Sequence, residues 1–282
     1  MKLPPRRRIL SKVVVGLCAL SVVVALIPLA LVFFYVIKQG FSSLNWAFFT
    51  RMPKPVGEAG GGMANAILGT FFLIVIASSV AIPVGMIAGI YLSEYGKARF
   101  ASLVRFTADV LNGVPSIVIG IFAYGLAVLP VHRFSALAGG IALGFMMIPI
   151  ITRTTEELLN LVPSTLREGA LALGATRGRA AFGVMVPAAL PGIMTGILVA
   201  LARIAGETAP LLFTSFNNQY FSARLDQPMA SLTVQVYTYA ISPYDDWHRQ
   251  AWAGALVLVM FVFVFSVLAR TLTRRLERMH RV

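Results

Sequence analysis

Six long apolar stretches, separated by shorter polar segments, dominate the pattern of this chain. Each is close to the ~20 residues that an α-helix needs to cross the hydrocarbon core of a membrane. The pattern therefore predicts an all-α, polytopic membrane protein with six transmembrane helices. Their approximate bounds are Val13–Ile37, Asn65–Leu92, Val110–Pro130, Phe134–Thr152, Ala188–Thr214 and Gln250–Ala269. The first stretch is too long for the apolar core of a cleaved signal peptide, so we interpret it as a retained helix.

Composition supports the same class of protein. Of the 282 residues, 58% are apolar and only 12% are charged, whereas about a quarter of a soluble domain is charged. A net charge of +13 could indicate a nucleic-acid partner, but the basic residues lie in the gaps between apolar stretches rather than on one face. We therefore expect membrane lipid around this chain and no nucleic acid. The single cysteine, Cys18, and three well-separated histidines provide no metal-ligand motif.

The basic residues are distributed unevenly between the two sides of the predicted membrane helices. Most of them precede the first helix, follow the second and fourth helices, or follow the sixth. They are Lys2, Arg6, Arg7, Arg8, Lys12, Lys97, Arg99, Arg105, Arg153, Arg167, Arg177, Arg179, Arg270, Arg274, Arg275, Arg278 and Arg281. By the positive-inside rule these residues face the cytoplasm, and both termini lie there.

Small residues recur at four-residue spacing within three of the predicted helices. The pairs are Gly85/Gly89, Gly140/Gly144 and Gly192/Gly196. This spacing lets two helix backbones approach each other closely. The sequence leaves open whether these glycines pack helices of this chain together or contact another subunit.

The segment 153–187, between the fourth and fifth predicted helices, is too long and too regular for a turn. Thr165 and Glu168 fit a capping box, in which the threonine caps a helix and the glutamate bonds back to it. The short helix would end at Gly174, and a second helical piece, Ala175–Val186, would follow it. An exposed helix between two membrane spans indicates either a docking element for a cytoplasmic partner or a helix lying on the membrane surface.

A charged pair interrupts the fifth apolar stretch. Arg203 follows the uncharged run Ala180–Ala202, and Glu207 stands four positions later. An ionisable residue at membrane depth costs several kcal/mol unless it is paired or lines a watery cavity, so it indicates a substrate path. Gly206 and Pro210 flank the glutamate and predict a broken helix, the kind of backbone that lines cavities in transporters. The alternative is a static buried ion pair that fixes helix packing.

Three other polar residues are further candidates for the path. Thr208 follows the charged pair and is a weaker candidate donor. In the third predicted span, Asn112 and Ser116 flank Pro115, which removes one hydrogen bond from the helix and predicts a kink. Either side chain could face the path, although an ordinary proline kink explains the same residues.

The cytoplasmic segment resembles the EAA loop of ABC-importer permeases. The resemblance rests on Glu168-Gly169-Ala170, followed by Gly174 and by Pro187. That family usually has alanine where Gly169 stands. In the family, the short helix of this loop is a coupling helix that sits in a groove of the ATP-binding subunit, which implies that role for Glu168, Gly169, Ala170 and Gly174.

Two further stretches are similar to the permease subunits of phosphate ABC importers. One runs from residue 202 to 214 and includes Arg203 and Glu207, with Asn217, Asn218 and Gln219 after it. The other is Gly113–Val118. The resemblance extends from about Asn65 to the end of the chain. It implies a type I importer permease core over residues 65–282, preceded by residues 1–64 with the N-terminal tail, the first helix and an outer loop.

The resemblance also implies a function and a set of partners. The chain would be the transmembrane subunit of an ATP-driven phosphate importer in the bacterial inner membrane. Arg203, Glu207, Thr208, Asn112 and Ser116 would belong to its substrate path. We expect a homologous permease, two copies of an ATP-binding subunit and an external phosphate-binding protein as partners.

The chain itself is not expected to be an enzyme. A nucleotide-binding P-loop needs G-x-x-x-x-G-K-[ST], and none of the five lysines stands in that context. ATP and Mg²⁺ would therefore be bound by the partner, and this chain would bind no cofactor. An importer of another oxyanion (molybdate, sulfate or phosphonate) and an ATP-independent anion channel or secondary transporter remain alternatives.

Overall fold

Helices form all the regular secondary structure in the residues that the structure, a computed structural model, describes: 5–55, 58, 60–96 and 99–279. The α-helices are α1 (Pro5–Phe41), α2 (Trp46–Thr50), α3 (Ala64–Tyr95), α4 (Arg99–Gly113), α5 (Ser116–Ala123), α6 (Ala136–Asn160), α7 (Ser164–Ala172), α8 (Arg177–Ala180), α9 (Val186–Ala205), α10 (Ala209–Thr214), α11 (Leu232–Ala240) and α12 (Asp245–Met279). Within this part of the chain, five helical runs are long and apolar enough to cross a membrane, or six if one bent pair counts as a span. The prediction of an all-α polytopic membrane protein is confirmed.

Four of the six predicted spans correspond to single long helices. The first, second and sixth lie inside α1, α3 and α12, and the fourth corresponds to α6. Helix α6 starts at Ala136, close to the predicted start, but continues to Asn160, well beyond the predicted end at Thr152. The extension carries charged residues, which a search for apolar stretches cannot include.

The third predicted span, Val110–Pro130, is not one straight helix. It consists of the end of α4, the whole of α5 and most of the two helical turns that follow α5, Tyr124–Val128 and Leu129–Val131. The run Arg99–Gly113 meets the run Ser116–Val131 at an angle of 109°. The break lies at Val114 and Pro115, where Pro115 has extended backbone angles, φ −57° and ψ 137°. A proline disfavours helical angles in the residue before it and cannot donate a backbone hydrogen bond. The predicted proline kink is therefore a complete break.

The fifth predicted span, Ala188–Thr214, begins and ends earlier than predicted. A continuous helical run extends from Arg177 to Ala205 through α8, a π-helical turn at Ala181–Met185 and α9. The predicted separate piece, Ala175–Val186, is thus the beginning of this span. The helix ends at Ala205 and resumes as α10 at Ala209, so the prediction of a broken helix around Glu207 is confirmed.

Helix α7 begins two residues earlier than the predicted capping box requires. Its N-cap is Pro163, and the structure gives that cap no side-chain hydrogen bond. Thr165 already lies inside the first turn, so the predicted cap by Thr165 and Glu168 was wrong. The predicted stop was right, because Gly174 adopts a left-handed φ of +85° just after the helix, a conformation that glycine adopts without strain.

The helices α3, α6 and α9 pack around one core, with α6 in the middle. The glycine pairs of the sequence lie at their contacts: Gly85 and Gly89 of α3 face Ile151, Thr152 and Thr155, Gly140 and Gly144 of α6 face Ile76 and Ala77, and Gly192 and Gly196 of α9 face Leu158 and Thr154. These residues all belong to this chain. Of the two interpretations left open by the sequence, internal packing is the correct one.

Gly89→Ala is expected to destabilise the protein, whereas Gly144→Ala is tolerated. A methyl group at Gly89 would lie 2.6 Å from the Thr152 carbonyl oxygen and 2.6 Å from the Thr155 Cβ. Overpacking of this kind typically costs about 1–3 kcal/mol. The matched methyl group at Gly144 would have the Ala77 carbonyl oxygen as its nearest neighbour, at an ordinary 3.7 Å. Thermal unfolding of the detergent-purified variants tests the difference; equal melting temperatures would contradict it.

Helix α1 stands apart from the core along most of its length. None of its most apolar window is buried. Its last turns contact α12, where the rings of Tyr35 and Trp252 meet edge to face at 5.1 Å and Gly40 packs closely against Leu256. The division of the chain at residues 64 and 65 stays a prediction.

Candidate substrate path and docking elements

Arg203 lies in the last turn of α9, on an exposed flank of the helix beside its core-facing side. The residues that pack inward are Ile193, Ile197, Ala200 and Ile204, all of them buried. Val199, one turn before the arginine, is 60% exposed, and the Arg203 side chain is 48% exposed. The arginine therefore points away from the helices of this chain, toward a space that its own core does not fill.

Glu207 is the nearest acidic partner of Arg203. The arginine Nε and the glutamate Oε1 are 4.0 Å apart, and the Glu207 side chain is 19% exposed. This distance is at the limit of an ion pair and too long for a hydrogen bond. Within the described residues, Glu207 is thus a loosely held counter-charge for the Arg203 guanidinium.

The break between α9 and α10 is held by backbone and side-chain hydrogen bonds. The amide of Gly206 donates to the Arg203 carbonyl at 3.1 Å. The Thr208 carbonyl accepts bonds from the amides of α10, and the Thr208 side chain makes no capping bond. The hydroxyl of Thr233, at the start of α11, donates to the Glu207 carbonyl at 2.9 Å. Sequence reasoning missed Thr233, because a threonine 26 positions away carries no local signal.

The two broken spans lie against each other. Helix α5 packs on α10 so closely that a methyl group at Gly120 would lie 2.7 Å from the Pro210 Cα. Asn112, near the end of α4, is exposed, and Ser116, the first residue of α5, is half-buried. In the described residues neither side chain forms a hydrogen bond with Arg203 or Glu207. Their place in the path stays a prediction, and so does the alternative of an ordinary kink.

A buried carboxylate joins α4 to α6 at the end of the bundle that carries α7. Glu156 is 3% exposed and accepts hydrogen bonds from Arg105 Nε at 2.9 Å and from Arg153 Nη1 at 2.6 Å. Arg153 also pairs with Asp109 at 2.9 Å. Asp109, in the second half of α4, thus belongs to this network. Sequence reasoning missed Glu156, although its spacing of three residues from Arg153 is a recognisable helical pair.

The predicted coupling residues lie on and just after α7, at the surface. Glu168, Gly169 and Gly174 are exposed and Ala170 is half-buried. Arg167 connects α7 to the end of α3 through a bond of 2.8 Å between its Nη2 and Glu94 Oε1. Leu173 is 92% exposed, which is unfavourable for an aliphatic side chain in water. We therefore add Leu173 to the surface on which a partner would dock.

At the opposite end of the bundle, the long connection after α10 is anchored to α6. The amides of Ala136 and Leu137 donate to the carbonyls of Gln227 and Leu225. A hydrogen bond from Arg224 lowers the pKa of the exposed Asp226 carboxyl, and the same bond raises the pKa of Arg224. The same carboxylate lies 3.7 Å from Arg133, which precedes α6.

Comparison with known proteins shows the family of the chain. Residues 81–281 match the family model described as binding-protein-dependent transport system inner membrane component. The chain is 43% identical over 267 residues to the phosphate transport system permease protein PstA of Yersinia pestis, covering 94% of this chain and 90% of that protein. It is 42% identical over 265 residues to the protein of the same name in Haemophilus influenzae, covering 94% of each.

Solved structures share the fold at low sequence identity. A chain of the MetNI methionine ABC transporter in an inward-facing conformation superposes with a TM-score of 0.61 at 19% identity, covering 76% of this chain and 94% of that one. A chain of an amino acid ABC transporter with histidines gives a TM-score of 0.58 at 16% identity, covering 76% and 93%. The all-α permease core, the broken spans and the matched sequences lead to one assignment: the chain belongs to the binding-protein-dependent transport system inner membrane components and, among them, to the phosphate transport system permease proteins PstA.

Proposed function

We propose that this chain is the permease subunit of an ATP-driven importer of inorganic phosphate and forms the phosphate path together with a homologous permease. The observation that supports this most strongly is Arg203, placed beside a broken membrane helix and turned away from its own core. Arginine suits phosphate because its planar fork offers two parallel, charge-assisted hydrogen bonds. The relatives named above, which match over nearly the whole chain, carry phosphate transport in their names.

The exposure of Arg203 supports a path shared between two subunits. A half-exposed arginine at membrane depth needs a wall on its open side, because lipid would leave its charge unsatisfied. A homologous permease (PstC-like) would provide that wall and exclude lipid from the path. Thr208, Asn112 and Ser116 would add neutral donors along the same path in this chain.

The proposed cycle is driven from outside this chain. Two ATP-binding subunits (PstB-like) would bind ATP and Mg²⁺, close on each other and push the α7 segment that contains Glu168 and Gly174. The spans would then rock from inward-open to outward-open, and an external binding protein (PstS-like) would deliver phosphate near Arg203. Glu207 would release Arg203 to phosphate in one state and pair with it again in the other. This scheme places both termini and α7 in the cytoplasm of a bacterial cell.

Reconstitution of the complete complex in proteoliposomes tests this function. ATP hydrolysis stimulated by the phosphate-loaded binding protein, together with uptake of labelled phosphate, is the expected result. Stimulation by molybdate, sulfate or phosphonate with its binding protein, and not by phosphate, would favour an importer of another oxyanion. Anion flux through this chain alone, without any ATP-binding subunit, would refute the importer.

Glu168→Arg is expected to weaken docking of the ATP-binding subunit about tenfold, which corresponds to ~1.4 kcal/mol of interface energy. Glu168 is exposed on α7, so its substitution leaves the core of the permease unchanged. Co-purification of the ATP-binding subunit with a tagged permease measures docking. Glu58→Arg, at the opposite end of the bundle, is the control and keeps the subunit bound. Unaltered co-purification of Glu168→Arg would remove this residue from the docking surface.

A further inference from the structure

A polar cavity of about 460 Å³ opens at the α7 end of the bundle, away from the predicted path residues. It lies between the end of α3, the first half of α4, the end of α6, and the helices α7 and α8. Its polar wall residues are Ser93, Glu94, Arg105, Asn160, Arg167 and Arg177. The described lining residues thus include three arginines but a single carboxylate, that of Glu94.

The positive charge of this cavity is only partly compensated within the chain. Arg105 donates to the Glu156 carboxylate through Nε and Nη2. Arg167 pairs with Glu94 through Nη2, but its Nε is buried without any hydrogen-bond acceptor, and an unsatisfied buried donor costs about 1–3 kcal/mol. Among the residues that the structure describes, Arg177 has no ion-pair partner. Arg177, which is exposed, therefore gives the cavity a cation that no described carboxylate compensates, and the strained Arg167 lies beside it in the same wall.

The donors of the cavity fit a phosphate group. Asn160 accepts a hydrogen bond from Ser93 Oγ through its Oδ1 at 3.1 Å, so its Nδ2 remains available as a neutral donor. Guanidinium groups prefer phosphate and carboxylate oxygens, to which they donate in pairs. Two arginines and one amide group around a cavity of this size match a phosphate that carries an organic substituent.

The surroundings of the cavity identify the source of that phosphate. The rings of Tyr91 and Tyr95 stack at 5.3 Å, and Phe100 meets Tyr91 edge to face at 5.8 Å. Aromatic clusters of this kind are typical of the membrane–water interface. Beside them, α4 exposes Phe100, Leu103 and Phe106, as a helix does when it lies in the interface. An α4 that lies in the interface would put the mouth of the cavity at the level of the lipid headgroups.

We propose that this cavity binds the phosphate of an anionic phospholipid headgroup, with Arg177 as its principal cation and Arg167 and Asn160 as further donors. Basic pockets between membrane helices bind such headgroups in other proteins. The bound lipid would connect α7, through Arg167, to the start of the α8–α9 run at Arg177. It would thereby hold the docking helix against the membrane. This site does not depend on which anion the importer transports.

Lipid binding to the assembled complex tests the site without reference to transport. The purified complex is titrated with phosphatidylglycerol, and bound lipid is counted by native mass spectrometry for wild type, Arg177→Gln and Arg179→Gln. Arg177→Gln is expected to weaken phosphatidylglycerol binding roughly fivefold, the effect of one basic residue at an anionic surface. Arg179 is an exposed arginine of the same helix outside the lining of the cavity, and its substitution is expected to change binding by less than about twofold.

Selective loss of phosphatidylglycerol from Arg177→Gln, with the ATP-binding subunit retained, supports the site. An equal loss from both variants would overturn it, since the cause would be general surface charge. Displacement of the lipid from wild type by inorganic phosphate would also overturn it, in favour of a site for free phosphate. Loss of the ATP-binding subunit from Arg177→Gln with unchanged lipid binding would assign Arg177 to docking instead.

Discussion

Arg203→Ala is expected to reduce phosphate uptake by the reconstituted importer at least a hundredfold while the complex still assembles. The substitution removes two charge-assisted hydrogen bonds to the anion, each contributing about 1.5–3 kcal/mol. Its effect on folding is small, because the side chain is 48% exposed and its partner Glu207 lies at 4.0 Å; exposed pairs of this kind contribute about 0–1 kcal/mol. The initial rate of labelled phosphate uptake at saturating binding protein and ATP measures the effect.

Two matched variants separate a path role from a general effect of charge. Arg203→Lys keeps the charge but loses the paired donors, and we expect it to retain uptake between those of wild type and Arg203→Ala. Arg224→Ala removes an exposed arginine of the connection after α10, bound to Asp226, and uptake should persist. Normal uptake by Arg203→Ala would exclude this arginine from the path. Loss of the homologous permease from the purified complex would indicate that it fixes helix packing instead.

The membrane helices were predictable because an apolar length of about 20 residues is a strong physical constraint. The limits of that constraint appear at the prolines. Pro28, Pro83, Pro149 and Pro191 all lie inside continuous helices, whereas Pro115 separates two helices that differ in direction by 109°. A single proline in a helical stretch predicts only that one backbone hydrogen bond of the helix is lost. Whether the helix merely bends or stops depends on the packing of its neighbours, which one sequence does not contain.

The candidate path was predicted only as far as local signals extend. Gly206 and Pro210 beside Glu207 were enough to predict the break that the structure contains. The hydrogen bond by which Thr233 supports that break could not be predicted, because it joins α11 to the backbone carbonyl of Glu207, 26 positions earlier in the chain. The position of Arg203 at membrane depth stays a prediction, since it rests on the apolar stretch that surrounds the residue in the sequence.

The anchoring of α4 depends on pairings that local patterns do not reveal. Arg105 and Glu156 stand 51 positions apart, and their contact requires α4 to turn back along α6 after the end of α3. Glu156 also shares its charge with Arg153, so one carboxylate holds two guanidinium groups. Removing either the buried carboxylate or one of its two cations is costly, because the charges that remain lose their counter-charge in a medium of low polarity.

Glu156→Ala should therefore cause the largest loss of stability among single substitutions in this network, about 3–5 kcal/mol, or a fall of about 5–8 °C in melting temperature for a chain of this size. Asp109→Ala is the control, because that side chain is 52% exposed and pairs with Arg153 alone, so we expect a loss below about 1 kcal/mol. The triple variant Arg105→Met, Arg153→Met, Glu156→Leu should recover most of the loss, since it leaves no charge of the trio unpaired. Thermal unfolding of the detergent-purified permease pair measures all three. A loss in Glu156→Ala no greater than in Asp109→Ala would show that α4 is held by apolar packing, with Ala101 and Ala108 at the contact, and not by the shared carboxylate.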